Sequence, residues 1–454
     1  AAAGLAMSQQ LAVWLFEACV GVLSLDQGQL RFAYLPSWLE NPQAVPLSQG
    51  LPLQNEPFGD QAARAFFAGL LPEGGMRQLL ARQLQLSGGN DFGLLQRLGG
   101  DCAGAVRLLE PDETAGASQP PRVAWLGPES LRAVLADLPT SPMLVARGEL
   151  RLSLAGAQSK LPVVVLPGPA DLGPVDPSEG LIEPVGGEGL RIGLPLAGTP
   201  STHILKPEIA AFGGSVLNEA FCLHLAAAMG LPVAQAQILP VGSQSVLLVQ
   251  RYDRTGLPGP GEGSAALAQL RRLHQEDFAQ ALGVGPELKY QNEGGPDLMA
   301  CFDLLRRVCR PSGLAVLRLL DAVIFNALVG NHDAHAKNFS LLYSGPQPEL
   351  APLYDLLCTA AYPQLSDKLA MKIGSRYRFS QLMPRHWQQL ALAAGLSWPQ
   401  VRLRLQRVSQ RLPRVAEQLQ AQSPFAGEPI IQQITSLIGQ RCALTQGRLA
   451  DPPP

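Results

Sequence analysis

Residues 331–342 read NHDAHAKNFSLL, directly after the apolar run LAVLRLLDAVIFNALVG of residues 314–330. Two histidines, Asp333, Lys337 and Asn338 fall within eight residues at the end of the chain's most hydrophobic segment. Such a cluster suits a metal site, a phosphate-transfer site or a polar helix cap without chemistry. Zinc is poorly served, because His332 and His335 stand three apart, whereas HEXXH spaces its ligands by four and catalytic zinc takes three protein ligands. Phosphoryl transfer finds more. Asp333 and Asn338 have the D-x-x-x-x-N spacing by which one short loop carries a base to the acceptor hydroxyl and an amide oxygen to a metal.

The bulk numbers fit that direction. The 454 residues are 46% hydrophobic and 16% charged, the composition of a globular chain with two or three lobes. A formal net charge of −2 lacks the basic stripe of a protein that holds nucleic acid by itself. The seven cysteines include no CxxC pair, which predicts buried thiols in a reducing cytoplasm. AAAGLAMSQQ has neither the basic nor the apolar region of a signal peptide. Arg318 and Asp321 interrupt the apolar run, so it reads as a core helix and not a membrane span.

Along the chain, LAVWLF, VGVLSL and LRFAYLP predict strands, and residues 60–84 predict helices broken at LPEGG. RLSLAGAQSKLPVVVL reads as a hairpin with a small-residue turn, and the Pro- and Gly-rich residues 167–200 read as a loop insertion. THILKP is a short strand, SVLNEAFCLHLAAAMG an amphipathic helix, and AQILPV with SVLLVQRYD a strand pair. TGLPGPGEG is a second loop, and from about residue 265 the pattern is mostly helical.

The upstream half supplies a nucleotide side. Lys206 ends the apolar run HIL, where a sheet lysine can point at phosphates, and Glu219 on the next helix is placed to orient it. The AGAQ turn allows close backbone approach to phosphates, with Gly156 the permissive residue. Asp355 in LAPLYD follows a predicted FSLLY hairpin and supplies a second metal-seeking carboxylate. Each piece is weak alone. Their order, from small-residue turn through lysine strand, acidic helix and linker to D-x-x-x-x-N and a later aspartate, is that of a kinase.

Here the residues resemble a known family, the HipA-type serine/threonine kinases, over nearly the full length. N-x-D-x-H-x-K-N is that family's catalytic-loop pattern, carried by Asn331, Asp333, His335, Lys337 and Asn338. SLAGAQSK resembles its phosphate loop, THILKP its lysine strand and QRYDR its hinge. QEDFAQALG, KYQNEGGP, APLYD, KLAMKIG and PRHW resemble later blocks, and YLPSWLE, LPLQ, FFAGLLPEG and FGLLQRLGGDCAGAV its N-terminal domain. The resemblance implies an α+β, protein-kinase-like two-lobe fold with an added N-terminal β-rich domain and a large helical C-terminal lobe. The expected division is an N-terminal domain over residues 1–110, a kinase N-lobe over 111–255 and a helical C-lobe over 256–454.

It further implies ATP and Mg2+ as cofactors, Asp333 as catalytic base, and Asn338 and Asp355 as metal ligands. Lys206, Ala155, Gly156, Ala157, Gln158, His335 and Lys337 would bind ATP, with Gln250, Arg251 and Tyr252 at the adenine hinge. Ser153 takes the position of the family's self-phosphorylated serine, ahead of Ser159 in the same segment; a phosphate there cannot stay where the ATP phosphates must sit. The implied substrate is an aminoacyl-tRNA synthetase such as the glutamyl enzyme. The implied partner is a HipB-like helix-turn-helix antitoxin, through which alone the chain would meet DNA, with no membrane involved. Departures are Gln250 where the family has Glu, a loop lysine four residues after the aspartate, and longer segments at 167–190 and 255–265. A second reading is a co-repressor with little chemistry, and a third a small-molecule phosphotransferase. Retention of Lys206, Asp333, Asn338 and Asp355 favours the active kinase.

Overall fold

The computed structural model describes residues 9–113, 120–141, 151, 153–168, 189–259, 262–345 and 347–450. Strands β1 (Gln9–Leu15), β2 (Ala18–Asp26), β3 (Gln29–Tyr34) and β4 (Val106–Leu109) form an antiparallel sheet in the order β3-β2-β1-β4. Gly21 is required in it, since a Cβ there would stand 2.5 Å from both the Ala33 carbonyl and the Phe32 ring. Helices α1 (Pro36–Leu39), α2 (Asp60–Phe67), α3 (Gly74–Gln83) and α4 (Asp91–Leu98) complete the N-terminal domain. Phe32, Phe66, Phe67 and Phe92 fill its separate core.

The second sheet is antiparallel and has six strands in the order β5-β7-β6-β8-β10-β9. These are β5 (Arg122–Leu126), β6 (Leu161–Pro167), β7 (Leu190–Leu196), β8 (His203–Pro207), β9 (Ala236–Val241) and β10 (Gln244–Gln250). One face packs on α5 (Pro128–Asp137). Two sequence readings are corrected here. Segment 167–200 contains β7, a strand paired on both sides, although residues 169–188 lie outside the described residues. The AGAQ segment is not a hairpin turn: among the described residues of 151–160 none is in a strand, and Gly156 instead bridges to Pro72 of the N-terminal domain.

Helix α6 (Ser215–Ala228) follows β8 and packs on β9, α11 and α12, so it belongs as much to the C-terminal core as to the sheet. That core is built by α7 (Phe278–Ala281), α8 (Leu298–Val308), α9 (Ser312–Val329), α10 (Pro384–Ala393), α11 (Trp398–Gln420) and α12 (Pro429–Ala450). Helix α9 is long and apolar enough to cross a membrane, yet it runs through this core with Leu319, Leu320, Ile324 and Leu328 buried. The lobe is less purely helical than its sequence suggests. It carries a three-stranded sheet of His274–Asp277, Ser340–Tyr343 and Glu349–Leu350, and a hairpin of Lys368–Ile373 with Arg376–Arg378.

A buried ionic cluster fastens the three parts together. Asp101 of the N-terminal domain accepts from Ser201 at 2.6 Å, Arg254 at 3.0 Å and Arg272 at 3.1 Å. Arg251 reaches it at 3.4 Å and pairs with Asp253 at 2.7 Å. Gly104, at φ +76, lets this loop close on Gln275, whose backbone a Cβ would meet at 2.8 Å. Burial alone would raise the Asp101 carboxyl, but Arg254, Arg272 and Arg251 hold it down at about 2. Its contribution is therefore complete above the unfolded carboxylate range and fades as pH falls towards 2. Asp101→Ala leaves buried guanidinium groups uncompensated and is expected to cost on the order of 3–5 kcal/mol, read from the urea unfolding transition; a loss under about 1 kcal/mol would contradict this.

Candidate active site

Helix α9 ends because Gly330 takes φ +87, and a Cβ there would stand 2.9 Å from Ala360. The chain then turns sharply. Asn331 donates its side-chain amide to Asn326 at 2.9 Å and accepts from the Asp333 backbone N–H at 3.1 Å, which props the aspartate. Thr359 accepts from the His332 backbone N–H at 2.8 Å and donates to the Gly330 carbonyl at 3.2 Å. The polar cluster is thus a rigid loop on a buried helix.

Asp333 stands at the rim, its side chain 46% exposed, and accepts at Oδ1 from the Tyr290 hydroxyl at 2.6 Å. Asn338 donates its amide nitrogen to the Asp333 carbonyl at 2.9 Å, leaving its amide oxygen for another partner. Lys206 on β8 reaches Glu219 on α6 at 2.6 Å and Asp355 at 2.8 Å. Burial would lower the Lys206 ammonium, but Asp355 and Glu219 hold it well above its usual value. Burial raises Glu219, whereas Lys206 holds the Asp355 carboxyl at about 2 against burial. Asp355 adopts φ +56, a left-handed conformation that costs a non-glycine residue about 1 kcal/mol.

These groups line one cavity of about 750 Å³, together with Ala155, Gly156, Ala157 and Gln158. Ile204, Ala234 and Val249 give it an apolar wall, and Tyr252 and Tyr354 lie with ring centroids 5.7 Å apart. His335 is buried, with its Nδ1 unpartnered, and burial lowers its pKa, so the ring is neutral near pH 7. Lys337 is occupied by Asp277 at 2.7 Å and by Glu73 at 3.6 Å.

Two expected residues have their side chains engaged outside the cavity. The Arg251 guanidinium leaves the cavity for the Asp101–Asp253 cluster, so only its backbone remains for a nucleotide. Ser153 is fully buried, its hydroxyl donating to the Leu70 carbonyl at 2.7 Å.

The family models agree with the geometry. Residues 11–109 match the HipA N-terminal domain and residues 152–417 the HipA-like C-terminal domain. The chain belongs to the HipA kinase family. It is 45% identical over 399 residues to the Y4mE protein of Sinorhizobium fredii, covering 87% of this chain and 88% of that one. It is 29% identical over 427 residues to the serine/threonine-protein kinase toxin HipA of Shewanella oneidensis, covering 89% and 88%. The solved complex of Shewanella oneidensis HipA with HipB and operator DNA matches at a TM-score of 0.77 and 26% identity, over 97% of this chain and 98% of that one.

Four residues of this HipA-family cleft escaped the sequence reading. Asp277 holds Lys337 while capping α7 with its other oxygen at 2.8 Å from the Gln280 backbone N–H. Its signal was the Asp-x-x-Gln capping pattern. Glu73 comes from the N-terminal domain, and Tyr290 from the KYQNEGG loop; both act across long sequence separations. Lys160, within SLAGAQSK, turns its ammonium onto the Ala155 carbonyl. Burial, with the Lys206 charge nearby, brings Lys160 down to about 8.

A polyphosphate entering this cavity stabilises the Lys160 ammonium and raises its pKa. Binding of ATP at pH 8.5 is therefore expected to take up part of a proton, seen as a dependence of the calorimetric enthalpy on buffer ionisation enthalpy and lost in Lys160→Met. An enthalpy independent of buffer would contradict the assignment.

Proposed function

We propose that the chain is an ATP- and magnesium-dependent serine/threonine protein kinase acting as the toxin of a HipA/HipB-type pair. The observation that carries this is the convergence on one cavity of Asp333, Asn338, Asp355 and the Lys206–Glu219 pair. Asn338 and Asp355 offer oxygen ligands of the kind magnesium prefers, and the Asn338 oxygen is turned free by the bond its nitrogen makes. Magnesium bound there would screen the phosphate charge and orient the transferred group.

The protein groups supply the rest. Lys206, released in part from Asp355, binds the phosphates, and the neutral His335 ring offers a further contact. The Ala155–Gln158 backbone closes over the phosphates, and the Gln250–Tyr252 segment holds adenine through main-chain groups. Asp333 accepts the proton of the acceptor hydroxyl as its oxygen attacks the γ-phosphorus and ADP leaves. The HipA resemblance favours an aminoacyl-tRNA synthetase such as the glutamyl enzyme as acceptor, a HipB-like helix-turn-helix antitoxin as partner, and DNA contact through that partner in the cytoplasm.

The same chemistry reaches Ser153. Its hydroxyl has no solvent exposure, so the loop must leave its seat before the serine can be phosphorylated. A phosphate of nearly two charges then could not return against the Leu70 carbonyl. The modified loop would stay out and the kinase would be off.

Intact-mass analysis of the protein with ATP and magnesium, beside Asp333→Asn, tests the reading. One added phosphate on Ser153 is expected in the parent chain, and a rate at least about 100-fold lower in the variant, with ATP still bound by both. A parent chain that binds ATP and never gains mass would refute self-inactivation. Failure to bind ATP would replace the kinase by the co-repressor reading.

A further inference from the structure

Tyr290 is a side-chain donor to the Asp333 carboxylate, at 2.6 Å, and the transfer chemistry above makes no use of it. Its ring meets the His335 ring edge-on at 5.5 Å, and Lys289 lies 5.2 Å over its face. The Lys289 ammonium is 3.6 Å from Oε2 of Glu73, and Glu73 Oε1 is 3.6 Å from Lys337. Glu73 heads α3 in the N-terminal domain, and its backbone N–H donates to the Gly156 carbonyl at 3.1 Å. A line of contacts therefore runs from the N-terminal domain to Asp333.

We propose that Glu73, Lys289 and Tyr290 are positioning residues: through them the N-terminal domain fixes the orientation of the Asp333 carboxylate. The inference rests on the kinase reading of the cleft. A half-exposed carboxylate on a loop has several orientations open to it. A charge-assisted O–H···O hydrogen bond is among the stronger ones and selects one of them, leaving Oδ2 free for the acceptor hydroxyl.

The Tyr290 loop is suited to this. Its backbone closes on itself, with the Gly295 and Glu293 N–H groups donating to the Tyr290 carbonyl at 2.9 and 3.0 Å. Gly295 admits that closure, because a Cβ would lie 2.4 Å from the Leu288 carbonyl. A rigid loop transmits the place of Lys289 to the Tyr290 hydroxyl. The Glu73–Lys289 pair is largely buried, with side chains 15% and 23% exposed, so salt screens it less than a surface pair.

A hydroxyl at hydrogen-bond distance from a base is also what a substrate presents, and this sets up the competing outcome. If Tyr290 merely plugs the acceptor position, removing its hydroxyl speeds transfer. If it positions the base, removal slows the chemical step and leaves nucleotide binding alone.

The test follows ADP formation in the first turnover of the full chain, before Ser153 phosphorylation shuts it off, at varied Mg-ATP. It compares the parent, Tyr290→Phe, Glu73→Gln and the double variant, with kcat and KM read as the saturating first-turnover rate and the half-saturating Mg-ATP. Lys289→Met is a second probe should one of these fold poorly, with thermal midpoints as the control. Tyr290→Phe is expected to lower kcat about tenfold, with KM for ATP within about twofold. Glu73→Gln is expected to lower kcat about threefold, and the double variant to be no slower than Tyr290→Phe alone. An unchanged or faster Tyr290→Phe, effects that multiply, or phosphate found on Tyr290 would each overturn the relay. A parent chain that forms no ADP overturns the kinase reading and the relay with it; an active parent with unaffected variants overturns the relay alone.

Discussion

The Lys206 ammonium is the charge on which the cleft depends. Taking an ammonium out of water costs several kcal/mol, and only close opposite charges repay it. Here they come from separate parts of the fold. Glu219 lies on α6, which is packed into the C-terminal core, and Asp355 lies just after the Glu349–Leu350 strand in a left-handed conformation. The sheet strand that carries Lys206 is thereby pinned to both. A nucleotide phosphate would offer Lys206 a richer partner than Asp355, and Asp355 would then be free for a cation. The Lys206–Asp355 pair is already arranged for that exchange.

The N-terminal domain belongs to this cleft and is not simply attached beside it. The loop over the cavity finds its backbone partners there: Glu73 donates to Gly156, and the Ser153 N–H donates to the Asp101 carbonyl at 3.1 Å. Backbone groups withdrawn from water need such partners. A loop satisfied by a neighbouring domain has no need of a paired strand, which is why SLAGAQSK fails to form the hairpin its alternation suggests. Asp101 meanwhile holds Arg251 and Arg254 through its side chain. One residue serves the loop with its backbone and the two arginines with its carboxylate.

What the sequence made legible follows from distance along the chain. Asp333 and Asn338 share one short loop, so their spacing carries their geometry. The elements around Lys206 and Glu219 are ordinary strand and helix patterns, and their pairing at 2.6 Å follows the running order of the pieces. For Arg251 the sequence gives a place but not a direction: it comes directly after Gln250 at the end of β10, and its side chain turns to Asp101. Strand β7 was missed because LRIGLPL looks like loop. Gly193 is there because Trp125 and Val123 of β5 press on it, a Cβ meeting Val123 at 2.4 Å. Tyr290 and Glu73 reach the site from 43 and 264 residues away, as Tyr290 to Asp333 and Glu73 to Lys337, and no local pattern encodes such contacts.

The central claim is that one cleft, to whose lining the N-terminal domain contributes Glu73, holds a magnesium nucleotide for transfer at Asp333. A crystal structure with a non-hydrolysable ATP analogue and Mg2+ tests it most directly. Phosphate oxygens are expected on Lys206 and Lys160, the cation on Asn338 and Asp355, and Ser153 still seated against Leu70. A nucleotide bound elsewhere, or a cleft that admits it without engaging Lys206 and Asp355, would contradict the account.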